Sequence, residues 1–263
     1  MRRLFTWCAA ALLLPAAGAL AQSPAINGMV AAPRVFNDRP GSTLSITHDN
    51  NAYGGMVSIS ESAFGPGGFT NRHDVLLSAD GGDPATGTAA TFNIDASWTL
   101  SATVNLSAGA FPPHKEAGLR VNSPVTGDGL FIIKTNGEIV AFGGGAPFYI
   151  APDTYVPGTS IDMTLKITSG GDGVGGSPNF VEYIYDIGAG PISSGPLVWS
   201  NLEFGPLNYN LGMYAQGPPA DEVNDFMLAT FKDVTFTPIP EPTSMALGAL
   251  GLVCIATLRR RIR

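Results

Sequence analysis

The stretch Ile161-Asp162-Met163-Thr164-Leu165-Lys166-Ile167-Thr168 decides the fold. Successive side chains of an extended chain point to opposite faces, so Ile161, Met163, Leu165 and Ile167 line one side and Asp162, Thr164, Lys166 and Thr168 the other. A strand that is apolar on one face and wet on the other belongs to an antiparallel sheet packed on one side only. Working outward, Glu138–Phe142, Gly129–Thr135 and Trp98–Leu106 read as strands upstream, and Phe180–Ile187, Leu197–Phe204 and Met227–Phe236 downstream. Weaker runs occur at Leu44–Thr47, Met56–Ser60, Val75–Leu77 and Ala90–Ile94. Asn136-Gly137 predicts a two-residue type I′ hairpin. Gly143-Gly144-Gly145 and Gly170–Gly176 read as loops, and no helix-length amphipathic pattern with caps interrupts the series. The expected fold class is all-β, a two-sheet antiparallel sandwich of the jelly-roll type.

The composition agrees with a turn-rich exported β protein. Hydrophobic residues make up 44% of the 263, charged residues only 13%, and there are 33 glycines and 21 prolines. Between residues 22 and 239 there are 8 basic and 20 acidic side chains, a balance of −12, which excludes the basic footprint that nucleic acid requires. Cys8 and Cys254, the two cysteines, both fall in apolar terminal segments, so a processed body would hold no disulfide, zinc site or cysteine nucleophile.

The ends carry an address. Residues 1–21 run from Arg2-Arg3 through the apolar Leu4–Leu14 and Pro15 to Ala19-Leu20-Ala21, the pattern of a signal helix with an A-x-A cleavage site at Ala19 and Ala21. That apolar run is too short to span a bilayer, which takes about 20 residues. Residues 238–263 contain Pro240-Glu241-Pro242, an uncharged span at 243–258, and the basic end 259–263 with Arg259, Arg260, Arg261 and Arg263. As a helix the 16-residue span would cover about 24 Å, short of the roughly 30 Å hydrocarbon core and so a marginal permanent transmembrane helix. The four arginines would stop transfer and remain in the cytoplasm, placing Pro240-Glu241-Pro242 at the outer face of the inner membrane. Two prolines without backbone donors keep that motif extended, and its single carboxylate offers a charge to a recogniser.

This tail resembles the PEP-CTERM sorting signal of exosortase substrates. The resemblance implies recognition at Pro240, Glu241 and Pro242 by an exosortase-type membrane protease, after export through the secretion translocon. The body, residues 22–237 and best defined over 90–237, resembles concanavalin A-like or laminin-G-like jelly-roll domains in the order Ala117–Val121, Gly129–Phe142, Phe231–Phe236, without a diagnostic motif.

The body advertises little chemistry. The E-x-D-x-x-E pattern of glycosidases on such sandwiches is absent, and the nearest substitute is Glu182 with Asp186 on one strand face, read as a solvated face opposite buried Tyr183 and Tyr185. His48, His73 and His114 sit in apparent loops, and neither a Gly-x-Ser-x-Gly elbow nor a phosphate-cradling loop occurs. No cofactor is expected. Ca²⁺ is the one ion that the acidic loops Asp49-Asn50-Asn51, Asp80–Asp83, Asp172-Gly173 and Asp221–Asp225 would suit, although Asp, Asn and Gly also serve ordinary turns. For sugar stacking, Trp98 and Trp199 read as core, while Phe148, Tyr149, Tyr155, Tyr209 and Tyr214 sit near loops.

The expectation is therefore a cell-surface or biofilm-matrix protein, first anchored in the inner membrane and then released outside, whose sandwich is not an enzyme and binds extracellular polysaccharide. Two alternatives stand beside it: a secreted carbohydrate-active enzyme with an unrecognised site, and a purely structural surface protein.

Overall fold

The computed structural model describes residues 24–48, 55–80, 87–93, 96–123, 127–144, 146–169, 179–199 and 208–239. The N-terminal segment through residue 23 and the tail from Pro240 onward, with the helices expected there, lie outside the described residues. So do Asp49–Asn51, Asp83 and Asp172-Gly173.

The described chain forms strands in this order: β1 (Gly28–Asn37), β2 (Thr43–His48), β3 (Val57–Ser62), β4 (Asn71–Ser78), β5 (Phe92–Asn93), β6 (Trp98–Ala108), β7 (Glu116–Ser123) and β8 (Gly127–Lys134). Then follow β9 (Ile139–Phe142), β10 (Tyr149–Ile150), β11 (Ser160–Thr168), β12 (Asn179–Asp186), β13 (Ile192–Ser193), β14 (Leu197–Trp199), β15 (Asn208–Gly217) and β16 (Phe226–Pro238). One sheet has the order β1-β4-β15-β7-β8-β9-β10, with β5 on β15. The other has β13-β12-β11-β6-β16-β3-β2, with β14 on β12. Neighbouring strands are antiparallel throughout, and the two sheets close on one hydrophobic core, the sandwich expected from the sequence.

The deciding stretch behaves as its alternation requires. In β11, Ile161, Met163, Leu165 and Ile167 are buried, while the residues between them are exposed or half-buried. Burying each such side chain contributes roughly 1.5–3 kcal/mol. Its register against β6 pairs Met163 with Ala102 and Leu165 with Leu100, so the apolar sets of the two strands share a face. The two sheets are joined through Trp98, whose indole Nε1 donates to the Tyr209 hydroxyl, and through Phe92, whose ring lies 4.9 Å from that of Phe236.

Three details differ from the sequence reading. The hairpin at Asn136-Gly137 is present, but only Gly137 there has a positive φ (95°), and its amide donates to the Lys134 carbonyl at 3.0 Å. That is a type I turn followed by a left-handed glycine, not a type I′ turn. Gly28–Asn37 and Asn208–Gly217, not expected as strands, are long ladder members. Finally, β4 starts at Asn71, four residues before the expected Val75.

Candidate active site

The outer face of the first sheet holds a charged cluster built by four adjacent strands. Strand alternation sends Arg72 and Asp74 of β4, Tyr214 and Gln216 of β15, Glu116 and Arg120 of β7, and Asp128 and Lys134 of β8 to that face, because Val75, Met213, Leu119 and Phe131 face the core. Register then aligns Asp74 with Tyr214, Tyr214 with Gly118, and Gly212 with Arg120. Three of the eight basic residues of this acidic body are gathered here.

Glycines at 118 and 212 are required by the approach of neighbouring backbone. A Cβ at 118 would lie 2.2 Å from the Phe131 carbonyl oxygen and 2.6 Å from the Ile132 Cα. One at 212 would lie 2.2 Å from the Val75 carbonyl oxygen. Such strand glycines mark close backbone approach, and here each stands opposite a large functional side chain.

Two guanidinium groups and two carboxylates close a ring. Arg72 Nε donates to Asp74 Oδ1 at 3.2 Å, and a terminal nitrogen of Arg72 donates to Asp128 Oδ2. Arg120 reaches Asp74 Oδ2 at 2.9 Å and donates from Nε and a terminal nitrogen to Asp128 Oδ1 at 3.0 and 2.6 Å. Burial pushes the Asp74 carboxyl upward against the pull of Arg120 and Arg72. For Asp128 burial also raises, but the hydrogen bonds and charges of Arg72 and Arg120 outweigh it and hold the group below the ordinary carboxylate range.

Beside the ring, the Tyr214 hydroxyl donates to Glu116 Oε2 at 3.0 Å, and the Arg72 guanidinium lies over the Tyr214 ring at 4.8 Å. Burial, reinforced by the Glu116 charge, raises the Tyr214 phenol, so it holds its proton at neutral pH. Burial likewise raises Glu116, and the hydrogen bond from Tyr214 offsets only part of that. Leu130, Ile132 and Val140 pack against Tyr214 as an apolar flank. The arrangement sets two cations, each paired with Asp74 and Asp128, beside an adjacent pair, one phenol and one carboxylate, that can exchange a proton.

Most candidates named from the sequence lie elsewhere. Glu182 and Asp186 share the solvent face of β12, where Glu182 accepts from Lys166 Nζ at 2.8 Å and Ser193 Oγ at 2.5 Å, with Tyr183 and Tyr185 buried behind them as expected. Asp186 accepts the Gly188 and Gly190 amides of a turn. Trp98 and Trp199 are core residues. So are Tyr155 and Tyr209, which were expected near loops, while Phe148 is exposed and Tyr149 stacks on Tyr183 at 5.8 Å. His73 is buried between the sheets. Its Nδ1 accepts the Arg34 amide, so the proton sits on Nε2, 3.0 Å from Glu61 Oε2. His114 is exposed, and the His48 side chain lies outside the described residues. Asp221 accepts the Val223 and Asn224 amides of its own turn, and Asp225 is bound to Lys115. Among the described residues no group of three or more His, Cys, Asp or Glu side chains converges as a metal site.

Of the residues in the cluster, only Tyr214 was singled out by the sequence reading. The alternation of Asn210, Gly212, Tyr214 and Gln216 against Leu211, Met213 and Ala215 was the available signal for its strand.

A family model described as the PEP-CTERM protein-sorting motif matches residues 238–261. The chain thus carries the signal of an exported protein that is anchored and then processed by an exosortase. No curated protein matches the chain in sequence. Among solved structures, an alginate lyase of polysaccharide lyase family 7 aligns with TM-score 0.50 and 11% identity, over 81% of this chain and 95% of its own. The alginate lyase from Corynebacterium sp. aligns with TM-score 0.50 and 10% identity, over 84% and 98%. At these identities the likeness is one of fold, and it bears out the jelly-roll expectation. It also corrects the reading of the body as a non-enzyme, because these two structures, which align over four-fifths of this chain, are named as alginate lyases. Among the described residues no helix is long and apolar enough to cross a membrane.

Proposed function

We propose that this chain is an exported carbohydrate-active enzyme acting on an acidic polysaccharide at the cell surface, through Arg72, Arg120, Glu116 and Tyr214. The observation that carries the reading is the pairing of two guanidinium groups beside a hydrogen-bonded tyrosine–carboxylate pair on one sheet face. With a balance of −12, the body as a whole repels a polyanion, so a uronate chain would be held here by direct pairing of its carboxylates with Arg72 and Arg120 and not by a general positive field.

The chemistry these groups suit is elimination. Arginines paired with the sugar carboxylate stabilise the charge that develops when the adjacent C–H bond is broken. Glu116, when ionised, takes that proton, a C=C bond forms, and the glycosidic C–O bond breaks. Tyr214, protonated at neutral pH, supplies the proton to the leaving oxygen, and transfer back from Glu116 resets the pair. The names of the aligned lyases support this reaction class as analogy, with alginate the first substrate to try.

Delivery follows from the ends: signal cleavage after Ala21, transfer stopped by Arg259, Arg260, Arg261 and Arg263, and exosortase recognition of Pro240-Glu241-Pro242. The test is incubation of the processed protein with alginate and other polyuronates, following the ultraviolet absorbance of unsaturated ends. Steady product that disappears in Arg120→Ala is expected, and no product on any polyuronate sinks the reading. In parallel, alanines at Pro240-Glu241-Pro242 should leave the protein in the membrane fraction. Equal release of both forms would overturn the role given to the motif.

A further inference from the structure

We propose that Asp128 is a built-in stand-in for the carboxylate of an acidic sugar, latching Arg72 and Arg120 until the ligand displaces it. The proposal rests on the reading of this face as a site for acidic polysaccharide.

Asp128 presents its carboxylate as an arginine-bound ligand would. One oxygen takes two donors from Arg120, at 3.0 and 2.6 Å, and the other takes a donor from Arg72. The two aspartates of the ring are not equivalent. The Asp74 side chain is 1% exposed and that of Asp128 26% exposed, so Asp74 is the floor and Asp128 the outer member. If Asp128 leaves, Arg72 keeps Asp74 at 3.2 Å and Arg120 keeps it at 2.9 Å, and both guanidinium groups remain aimed at the vacated position. An incoming carboxylate then replaces one negative charge with another, and no bare cation is exposed or buried in the exchange.

The backbone beneath Asp128 is held in place. Gly143 and Gly144 pack so closely that a Cβ on either would come within 2.6 Å of the Asp128 carbonyl oxygen, so release is a side-chain rotation rather than a movement of β8. Arg72 also lies over the Tyr214 ring and keeps its place there through Asp74, so a carboxylate that replaces Asp128 is seated beside the Tyr214–Glu116 pair. A neutral sugar, with no carboxylate to exchange, leaves the latch closed.

The experiment is calorimetric titration of the processed protein, purified from its host, with alginate oligosaccharides. Asp128→Asn should bind at least about tenfold more tightly than the wild type, because the internal competitor has lost its charge. Acetate should fill the gap in Asp128→Ala, raising its melting temperature and competing with the oligosaccharide, and should do neither in the wild type. Equal or weaker binding by Asp128→Asn, with acetate inert toward Asp128→Ala, overturns the latch. If Asp128→Asn fails to fold, the acetate response of Asp128→Ala decides alone. Failure of the functional reading is a separate result: tighter binding by Asp128→Asn without unsaturated product from either form supports the latch and removes the catalysis.

Discussion

Replacing Asp225 by alanine should be far more damaging than replacing its partner Lys115 by methionine, although both remove the same ion pair. Lys115 Nζ lies 2.7 Å from Asp225 Oδ2, and both side chains are 0% exposed. Among the described residues the ammonium has one other partner, the Ala110 carbonyl at 2.7 Å, whereas the carboxylate also accepts the amides of Ala110, Ala220 and Phe226 at 3.0, 2.7 and 2.8 Å. Asp225→Ala therefore strands a buried cation, and breaking a buried pair in this way costs about 3–5 kcal/mol. Lys115→Met leaves an anion with three amide donors, so its cost falls to about 1–3 kcal/mol. The double variant lacks both charges and should recover more than half of the Asp225→Ala loss, since the half-buried amides regain water. Urea titration with a constant m value reports these differences as midpoint shifts. In a domain of this size each kcal/mol moves Tm by about 2–4 °C. A Lys115→Met cost equal to that of Asp225→Ala, or a double variant weaker than Asp225→Ala, would refute the reasoning.

Tyr214→Phe removes one hydroxyl from a packed ring and should lower turnover on a polyuronate by about 10²-fold or more while the midpoint of unfolding shifts little; retained turnover counts against Tyr214 as the proton donor. Gly118→Ala should destabilise by at least about 1–3 kcal/mol, because the added methyl meets Phe131 and Ile132 backbone that cannot yield, and calorimetry showing an unchanged Tm would argue against the close strand approach. For Glu61, burial raises the carboxyl, but hydrogen bonds from His73, Ser42 and Asn71 together hold it below its ordinary 4.5. A depressed folded value gives stability present above the unfolded pKa and lost as pH falls through the folded one. Glu61→Gln should accordingly be less stable than wild type at pH 7, with the gap narrowing below pH 4.5. A gap that is constant with pH would contradict the assignment.

What the sequence revealed, and what it hid, follows from how far apart the interacting residues lie in the chain. Strands with four or five inward apolar residues in strict alternation, such as β11 and β6, were legible because the pattern is local. β15 alternates as well, but Gly212 and Ala215 dilute the signal and its aromatic residues read as loop residues. β4 was cut short because Asn71 and His73, its first inward side chains, are polar. Those two residues belong to a buried network with Glu61 and Ser42 that spans the sheets, and a polar core of that kind imitates a loop in a hydrophobicity reading. The ring of Arg72, Asp74, Arg120 and Asp128 depends on β15 lying between β4 and β7, strands that are remote in sequence, and no spacing rule exposes that adjacency.

The sorting match and the described domain meet at β16, in the sheet opposite the one that bears the charged face. Its last residue, Pro238, pairs with Trp98, and the Ile239 amide donates to the Ser97 carbonyl at 2.8 Å, so the ladder continues to the residue before Pro240. The sorting match begins at 238, inside that strand. Twelve residues earlier β16 begins at Phe226, about 40 Å away at roughly 3.3 Å per residue, beside the loops that carry Gly109 and Asp225. The first strand also starts at the Pro238 end, since Gly28 pairs with Ser78, the Leu77 carbonyl accepts the Ala90 amide, and Phe92 packs on Phe236. Both ends of the described domain thus lie at one pole, while Arg72, Arg120, Glu116 and Tyr214 occupy a sheet face along its side. The sorting match therefore begins at that pole, and not on the sheet face that carries the arginines.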